Sequence, residues 1–206
     1  MNKSKALIYV VDDDPSIQRA LTLLLHSHGF KVAAFSSAEA FLAFKHPRQT
    51  ACLLLDVRLP ELNGPALQDI MCERQLDIPI VFITGYGDIP MGVKAMKGGA
   101  VDFLPKPFID QDLLNAIERA IAKSKVQNRS GAEVDQIKRR ISTLSPRELE
   151  VFHFVAQGLM NKQIASRRGT ALQTIKVHRG RVMQKMQAKT VTELIHFAQK
   201  AGLVPS

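Results

Sequence analysis

The chain has 206 residues, an apolar share of 46% and a net charge of +9. That length fits one or two domains, and no apolar run approaches the ~20 residues that a membrane span needs. The first apolar stretch, residues 6–11, is too short and wrongly flanked for a secretion signal, so the expected location is cytoplasmic. Cys52 and Cys72 lack metal-ligand spacing and read as small core residues of a reducing compartment.

The charge is unevenly spread. Residues 1–122 carry a net −2 and residues 123–206 a net +11. The second segment has the electrostatic footprint of a polyanion binder. A solvated basic face and a membrane-surface patch are alternatives that charge alone leaves open.

Residues 5–11 predict a buried strand that stops at Asp12, Asp13 and Asp14. Asp14 can cap a helix whose first position is Pro15. Ile17, Ala20, Leu21, Leu24 and Leu25 share one face of that helix, and Gly29 ends it. Residues 30–35 predict a second strand, and Ser37 a short helix carrying Phe41 and Phe44 inward. The run from Cys52 to Leu55 is apolar throughout, as in a strand covered on both faces, and it halts at Asp56. Pro60 and Asn63-Gly64 mark a tight loop, with Pro65 opening a helix to about Arg74. Residues 78–84 predict a fourth strand with Pro79 at its very start. Gly85, Gly87 and Pro90 mark a loop into a helix that ends at Gly98-Gly99. Residues 101–104 make a fifth strand, followed by Pro105-Lys106-Pro107. Asp110 can cap a helix with Leu113, Leu114, Ile117, Ala120 and Ile121 along its buried stripe.

Five strand–helix alternations predict a flavodoxin-like (βα)5 domain of the α/β class, with a parallel sheet of order 2-1-3-4-5. Strands one and three are neighbours in that order. Asp12 and Asp13 then meet Asp56 at the carboxyl ends of the strands, where open α/β sheets bind ligands. Thr84 ends strand four, and Lys106 follows strand five. Two unit charges ~4 Å apart repel by about 4 kcal/mol at an effective dielectric near 20, so the three carboxylates call for a cation. Hard oxygen donors with open positions suit Mg²⁺. A metal beside a lysine would hold a phosphoryl group on the remaining acid, which makes Asp56 a covalent phosphoryl acceptor. For Asp56 taken alone, a plain turn aspartate is the alternative.

Residues 5–122 resemble the receiver domain of two-component response regulators. The motifs are Val11-Asp12-Asp13, Leu55-Asp56 with Pro60 and Gly64 after it, Thr84-Gly85, and Phe103 before Lys106-Pro107. The resemblance implies that Asp56 takes phosphate from a sensor histidine kinase. Asp13 and Asp56 would ligate Mg²⁺ directly, Asp12 through water, and Arg58 through its carbonyl. Thr84 and Phe103 match the family's switch pair, and Lys106 the lysine that contacts the phosphate. The Lys106–Pro107 bond would be cis. For Phe103 a plain core ring is the alternative.

Residues 123–143 are polar and read as a linker, with 128–131 its most flexible point and Ile137 and Ile141 at helical spacing. Ser145 then caps a helix, with Pro146 at its first position and Glu148 completing a capping box. Leu149, Phe152 and Ala156 form its inward stripe, and Gly158 stops it. Asn161 can cap a short helix with Ile164 and Ala165 inward, closed by Gly169. A basic helix over residues 173–186 points Ile175, Val182 and Met186 inward and Lys176, Arg179, Arg181 and Lys185 outward. Thr190 opens a fourth helix carrying Leu194, Ile195 and Ala198.

Residues 144–206 thus read as an all-α, four-helix helix-turn-helix domain, whose second motif helix enters the DNA major groove. Gln173, Thr174, Lys176, Val177 and Arg179 are the base-facing candidates, and Arg181, Lys185 and Lys189 the phosphate contacts. Residues 144–203 resemble the LuxR-type domain in Leu144-Ser145-Pro146-Arg147-Glu148, Ala156-Gln157-Gly158, Asn161-Lys162-Gln163-Ile164-Ala165 and Thr174-Ile175-Lys176-Val177-His178. Together the two halves resemble the NarL/FixJ family, nearest FixJ in Thr84-Gly85, Gly87-Asp88 and Ala100-Val101-Asp102-Phe103. That resemblance implies a transcription regulator, not an enzyme, that binds double-stranded promoter DNA, pairs into a homodimer when phosphorylated and works on RNA polymerase. The departures are the turn Arg168-Gly169-Thr170-Ala171, where Thr170 could cap instead, and Gly180 inside the recognition helix. A regulator that binds DNA without phosphorylation is the rival reading. A phosphatase or flavin enzyme on the same fold is disfavoured, because no glycine-rich phosphate loop follows the first strand.

Overall fold

The computed structural model describes residues 6–85 and 89–204, the side chains of residues 89 and 90 excepted. The expected strand start at Lys5 and the loop positions Gly87 and Asp88 lie outside them. The chain divides into two compact units, Met1–Arg129 and Ser130–Ser206. No helix among the described residues is long and apolar enough to cross a membrane.

In the first unit β1 (Leu7–Val11), β2 (Lys31–Phe35), β3 (Ala51–Asp56), β4 (Ile80–Thr84) and β5 (Asp102–Pro105) form one parallel sheet of order β2-β1-β3-β4-β5. The helices between them are α1 (Pro15–Ser27), α2 (Ala38–Ala43), α3 (Gly64–Glu73) and α4 (Ile89–Lys97), and α5 begins at Asp110. Period-two alternation sends successive strand residues to opposite faces. Ile8 and Val10, Cys52 and Leu54, and Val81 and Ile83 pack with Leu21 and Leu25 of α1 and Leu113 and Ile117 of α5. Tyr9 and Val11, Leu53 and Leu55, and Phe82 pack with Phe41 of α2, Leu67 of α3 and Ala95 of α4. Every residue of β3 is buried, which explains its unbroken apolar run. Cys52 lies fully inside, and burial pushes its thiol pKa up; Cys72 on α3 is exposed.

Several boundaries differ from expectation, each for a local reason. Pro79 stays just before β4 because it has no amide to donate to the ladder; only its carbonyl takes part, accepting from Leu53 N at 2.9 Å. Pro90 belongs to the first turn of α4 rather than to the loop. Asp110 is the first residue of α5 and not its cap. Phe44 follows α2 as its C-cap and is 42% exposed, although its ring leans on Tyr9, Phe35 and His46. Ala20 on α1 is exposed.

The segment read as a linker is helical throughout: α5 runs from Asp110 to Ile141, and the division between the two units falls at Arg129–Ser130, inside the 128–131 stretch expected to be its most flexible point. Its polar residues are mostly good helix formers, and both units give them partners. Buried Ser124 accepts a hydrogen bond from Ala51 N at 3.0 Å, and Asn128 Nδ2 donates to Gln49 O at 3.0 Å. Further along, Ile137 is buried in the core of the second unit and Glu133 pairs with Lys200 at 2.6 Å.

The second unit contains α6 (Pro146–Ala156), α7 (Asn161–Arg168), α8 (Leu172–Met186) and α9 (Val191–Lys200). Its core joins Val151, Phe152 and Val155 of α6, Ile164 of α7, Ile175, Val182 and Met186 of α8, and Leu194, Phe197 and Ala198 of α9. Leu149 and Ile195 are only half-buried, because Val151 and Phe197 take the inward positions beside them. Arg140 closes the carboxyl end of α8: it donates to Met186 O at 3.1 Å and to Gln187 Oε1 at 2.6 Å, and lies 5.9 Å from the Phe197 ring centre.

Candidate functional site

The parallel register sets Val11 beside Leu55, so the next residues, Asp12 and Asp56, emerge side by side at the carboxyl edge. Thr84 ends β4 in register with Pro105, and Lys106 N bonds back to Thr84 O at 2.6 Å. The Lys106–Pro107 peptide is cis. Lys106 Nζ stands between the two acids, 2.8 Å from Asp12 Oδ2 and 2.7 Å from Asp56 Oδ1. The remaining oxygens are also held. Asp56 Oδ2 accepts from Arg58 N at 2.7 Å, and Asp12 Oδ1 from Asp14 N at 2.9 Å. Asp14 is the N-cap of α1, accepting from Ser16 N at 2.7 Å. Asp13 is exposed at the rim.

Burial pushes the Asp56 carboxyl up from its ordinary range, against the opposing pull of Lys106 and the Arg58 amide. For Lys106 desolvation works to lower the pKa, yet the bonds to Asp12 and Asp56 leave it above the ordinary lysine value. A raised acid held against one ammonium is an uneasy charge balance, typical of functional clefts. Asp12 and Asp56 share one lysine, and Asp13 is exposed next to Asp12 in sequence, an excess of negative charge that a dication would neutralise. Among the described residues no three acids, histidines or cysteines gather into a ready-made metal cage. The donors are hard oxygens throughout, which fits Mg²⁺ held partly by waters.

The loop after Asp56 admits little change. A Cβ on Gly64 would stand 2.6 Å from Asp56 O and 2.9 Å from the Phe82 ring, so only glycine lets α3 start this close beneath the acid. Asn63 caps that helix through Ala66 N at 2.9 Å. Thr84 is buried, and its hydroxyl donates to Gly85 O at 3.1 Å rather than to Asp56. Phe103 is half-buried, with its ring edge against Gly92 of α4. Sequence reasoning missed Gln18, whose amide donates to Asp12 O at 2.6 Å and Phe35 O at 3.3 Å and so steadies the acidic loop. A long amide one turn into α1, next to Ile17, was its only signal.

In the second unit the cations expected to touch DNA divide into two groups. Lys176, Arg181 and Lys189 are exposed, as are Gln173, Thr174 and Val177. Lys185 and Arg179 are engaged within the fold. Lys185 Nζ meets Glu148 Oε2 at 2.6 Å and Thr143 O at 3.0 Å, which removes it from the outward set. Glu148 is buried, also accepts from Ser145 N at 2.8 Å, and is held by Lys185 at a pKa of about 2. This confirms the Ser145–Glu148 capping box. Arg179 is half-buried and donates to Asn161 Oδ1 at 2.7 Å, so it cannot reach out as a base reader without leaving that bond. Asn161 is thus the first helical residue of α7, not its cap; Met160 takes the cap position, and its amide is met by Gln163 Oε1 at 2.7 Å. Ala171, not Thr170, precedes α8, with no side-chain cap.

Residues 8–118 match the response regulator receiver domain, and residues 142–198 the luxR family of bacterial regulatory proteins. The chain belongs to the response regulators. The regulator is 48% identical to Nodulation protein W of Bradyrhizobium diazoefficiens over 97% of this chain and 88% of that one. It is 43% identical to the transcriptional regulatory protein FixJ of the same organism, covering 98% of both. Among solved structures it is similar to the response regulator StyR, with a TM-score of 0.79 and 44% identity over 95% of this chain and 99% of that one. Full-length FixJ from B. japonicum gives a TM-score of 0.57 and 42% identity over 98% and 99%. The family joins a receiver to a DNA-binding helix-turn-helix and consists of transcription regulators rather than enzymes.

Proposed function

We propose that this regulator is switched by phosphorylation of Asp56 from a sensor histidine kinase and in that state binds promoter DNA. The observation that carries this reading is the position of Asp56, at the end of the central strand with Lys106 on one oxygen and a backbone amide on the other. A carboxylate oxygen attacks phosphorus, the bond from phosphorus to the donor nitrogen breaks, and the phosphoryl group stays on Asp56 as an acyl phosphate. Lys106 pairs with the new phosphoryl oxygens, and Arg58 N donates to them. Asp13, Asp56 and the Arg58 carbonyl would hold Mg²⁺, with Asp12 acting through water, and the ion would supply the charge neutralisation that phosphoryl transfer requires.

Thr84 then leaves Gly85 O for the phosphoryl oxygens, and the half-buried Phe103 ring follows inward from its place beside Gly92. Turning a population from 1:99 to 99:1 requires about 5.5 kcal/mol of differential stabilisation. The favoured state pairs two chains, whose basic units take half-sites about one DNA turn apart. Contact with RNA polymerase would follow from placement at a promoter. Within this division of labour residues 1–122 act as the receiver, 123–143 as the connecting segment and 144–206 as the reader.

The test is gel-shift selection from random duplexes, with and without acetyl phosphate and Mg²⁺, on wild type and Asp56→Asn. Tightening in the wild type alone supports the switch. Equal binding in all four conditions supports the phosphorylation-independent regulator instead.

A further inference from the structure

Gly180 stands in mid-helix, in the ninth position of α8, where glycine is the least favourable residue apart from proline. A glycine in such a place costs stability against alanine, which a demand of the fold can offset. Three such demands are absent here. Its φ is ordinary for a helix, since it is not among the residues of positive φ. A Cβ added there would meet nothing within 4 Å, so no neighbouring element needs the space. The helix does not break at it, because Val182 and Met186 continue the buried stripe begun by Ile175. Nothing within the described residues asks for a missing side chain.

The position on the helix points to what does. At 3.6 residues per turn, Gly180 lies roughly 140° around α8 from Ile175, close to opposite the core. Gln173, Val177 and Gln184 share that outer strip, and all are exposed. Lys176 and Arg181 flank it on either side and are exposed too. The strip is therefore uncharged along its centre and cationic at its edges. That is the pattern of a helix laid in the major groove, with phosphates at the rims and base edges at the centre. Amides suit adenine edges and a branched aliphatic suits the thymine methyl, so Gln173 and Val177 are both of base-reading type. Arg179 lies only about 40° around the helix from Ile175 and is drawn back to Asn161, away from the strip.

We infer that Gly180 is a specificity-determining residue, a gap in the recognition face that the base edges fill. The missing side chain lets α8 seat deeply enough for Gln173 and Val177 to reach their bases. The inference rests on the second unit reading DNA sequence. A methyl group at residue 180 holds the helix off the groove floor and leaves the rim phosphate contacts largely in place.

The test compares Gly180→Ala with wild type, each as the phosphorylated full chain, on the duplex that wild type selects and on a scrambled duplex. Calorimetry on the same samples reads folding. Gly180→Ala is expected to raise the unfolding temperature of the second unit by about 4–8 °C. It is expected to weaken binding to the selected duplex about tenfold, the loss of one well-read base pair, and to leave the scrambled duplex within about twofold. A more stable variant with unchanged preference between the duplexes would show the glycine to be merely tolerated and would overturn the inference. So would a variant that unfolds earlier, because the chain itself would then need glycine. If wild type fails to distinguish the two duplexes, the second unit does not read sequence and the inference falls with that reading.

Discussion

Replacing Lys185 with methionine separates a fold-building lysine from a DNA-contacting one. Lys185 Nζ lies 2.6 Å from Glu148 Oε2; the Glu148 side chain is 5% exposed and that of Lys185 39%. The variant leaves a buried carboxylate with only Ser145, chiefly through its amide, as partner. Removing one member of a fully buried pair costs about 3–5 kcal/mol, and of an exposed pair about 0–1. With one partner buried and the other more than a third exposed, the expected loss lies between, at roughly 2 kcal/mol. For a unit of this size that is a fall of about 8–16 °C in melting temperature. The pH dependence follows from the acid. Glu148 sits at about 2 in the fold against 4.5 ordinarily, so its stabilisation is complete above about 4.5 and is lost as the pH falls toward about 2. The gap between wild type and Lys185→Met should narrow on acidification. Scanning calorimetry and amide exchange over α6 read the stability. The slope of log binding constant against log salt should stay unchanged, whereas each lost phosphate contact reduces it by about 0.9. A stable variant with a shallower slope would refute the assignment and return Lys185 to the DNA-facing set.

Asp56→Asn should make the metal-free first unit more resistant to urea at neutral pH. Burial raises the Asp56 carboxyl, so its stabilising share is present below 3.8 and lost as the pH rises through the raised value; a lower urea midpoint would contradict this. Gly64→Ala should destabilise the same unit by about 2–3 kcal/mol, since backbone and Phe82 both stand in the way of the methyl group, and an unchanged midpoint would show that the loop yields. Arg140→Ala, which uncaps α8 and exposes Phe197, should cost about 1–2 kcal/mol in the second unit, read by amide exchange at the end of α8.

The acidic crevice was legible because it is made of strand ends. Once the order of five strands is right, Asp12, Asp56, Thr84 and Lys106 have nowhere else to go. The capping box at Ser145 was equally plain, because its partners are three residues apart. What escaped were pairings between elements. Lys185 and Arg179 carry the charge and spacing of outward residues, and only packing reveals that Glu148 and Asn161 claim them. The continuous α5 escaped for a related reason. Its polar stretch looks like a linker until Ser124, Asn128 and Ile137 are seen to have partners far away in sequence.

The unequal placement of the two thiols equips the regulator with a ready attachment point for a probe. Cys52 is sealed in the sheet and resists ionisation, while Cys72 opens to solvent near the end of α3. Reagents that need a thiolate will label Cys72 and pass Cys52 by. The chain has no tryptophan, so a maleimide dye at Cys72 would report without competing indole emission. It would sit on the helix that starts at Gly64 directly beneath Asp56, and events at the acid could be followed in the native sequence with no engineered residue.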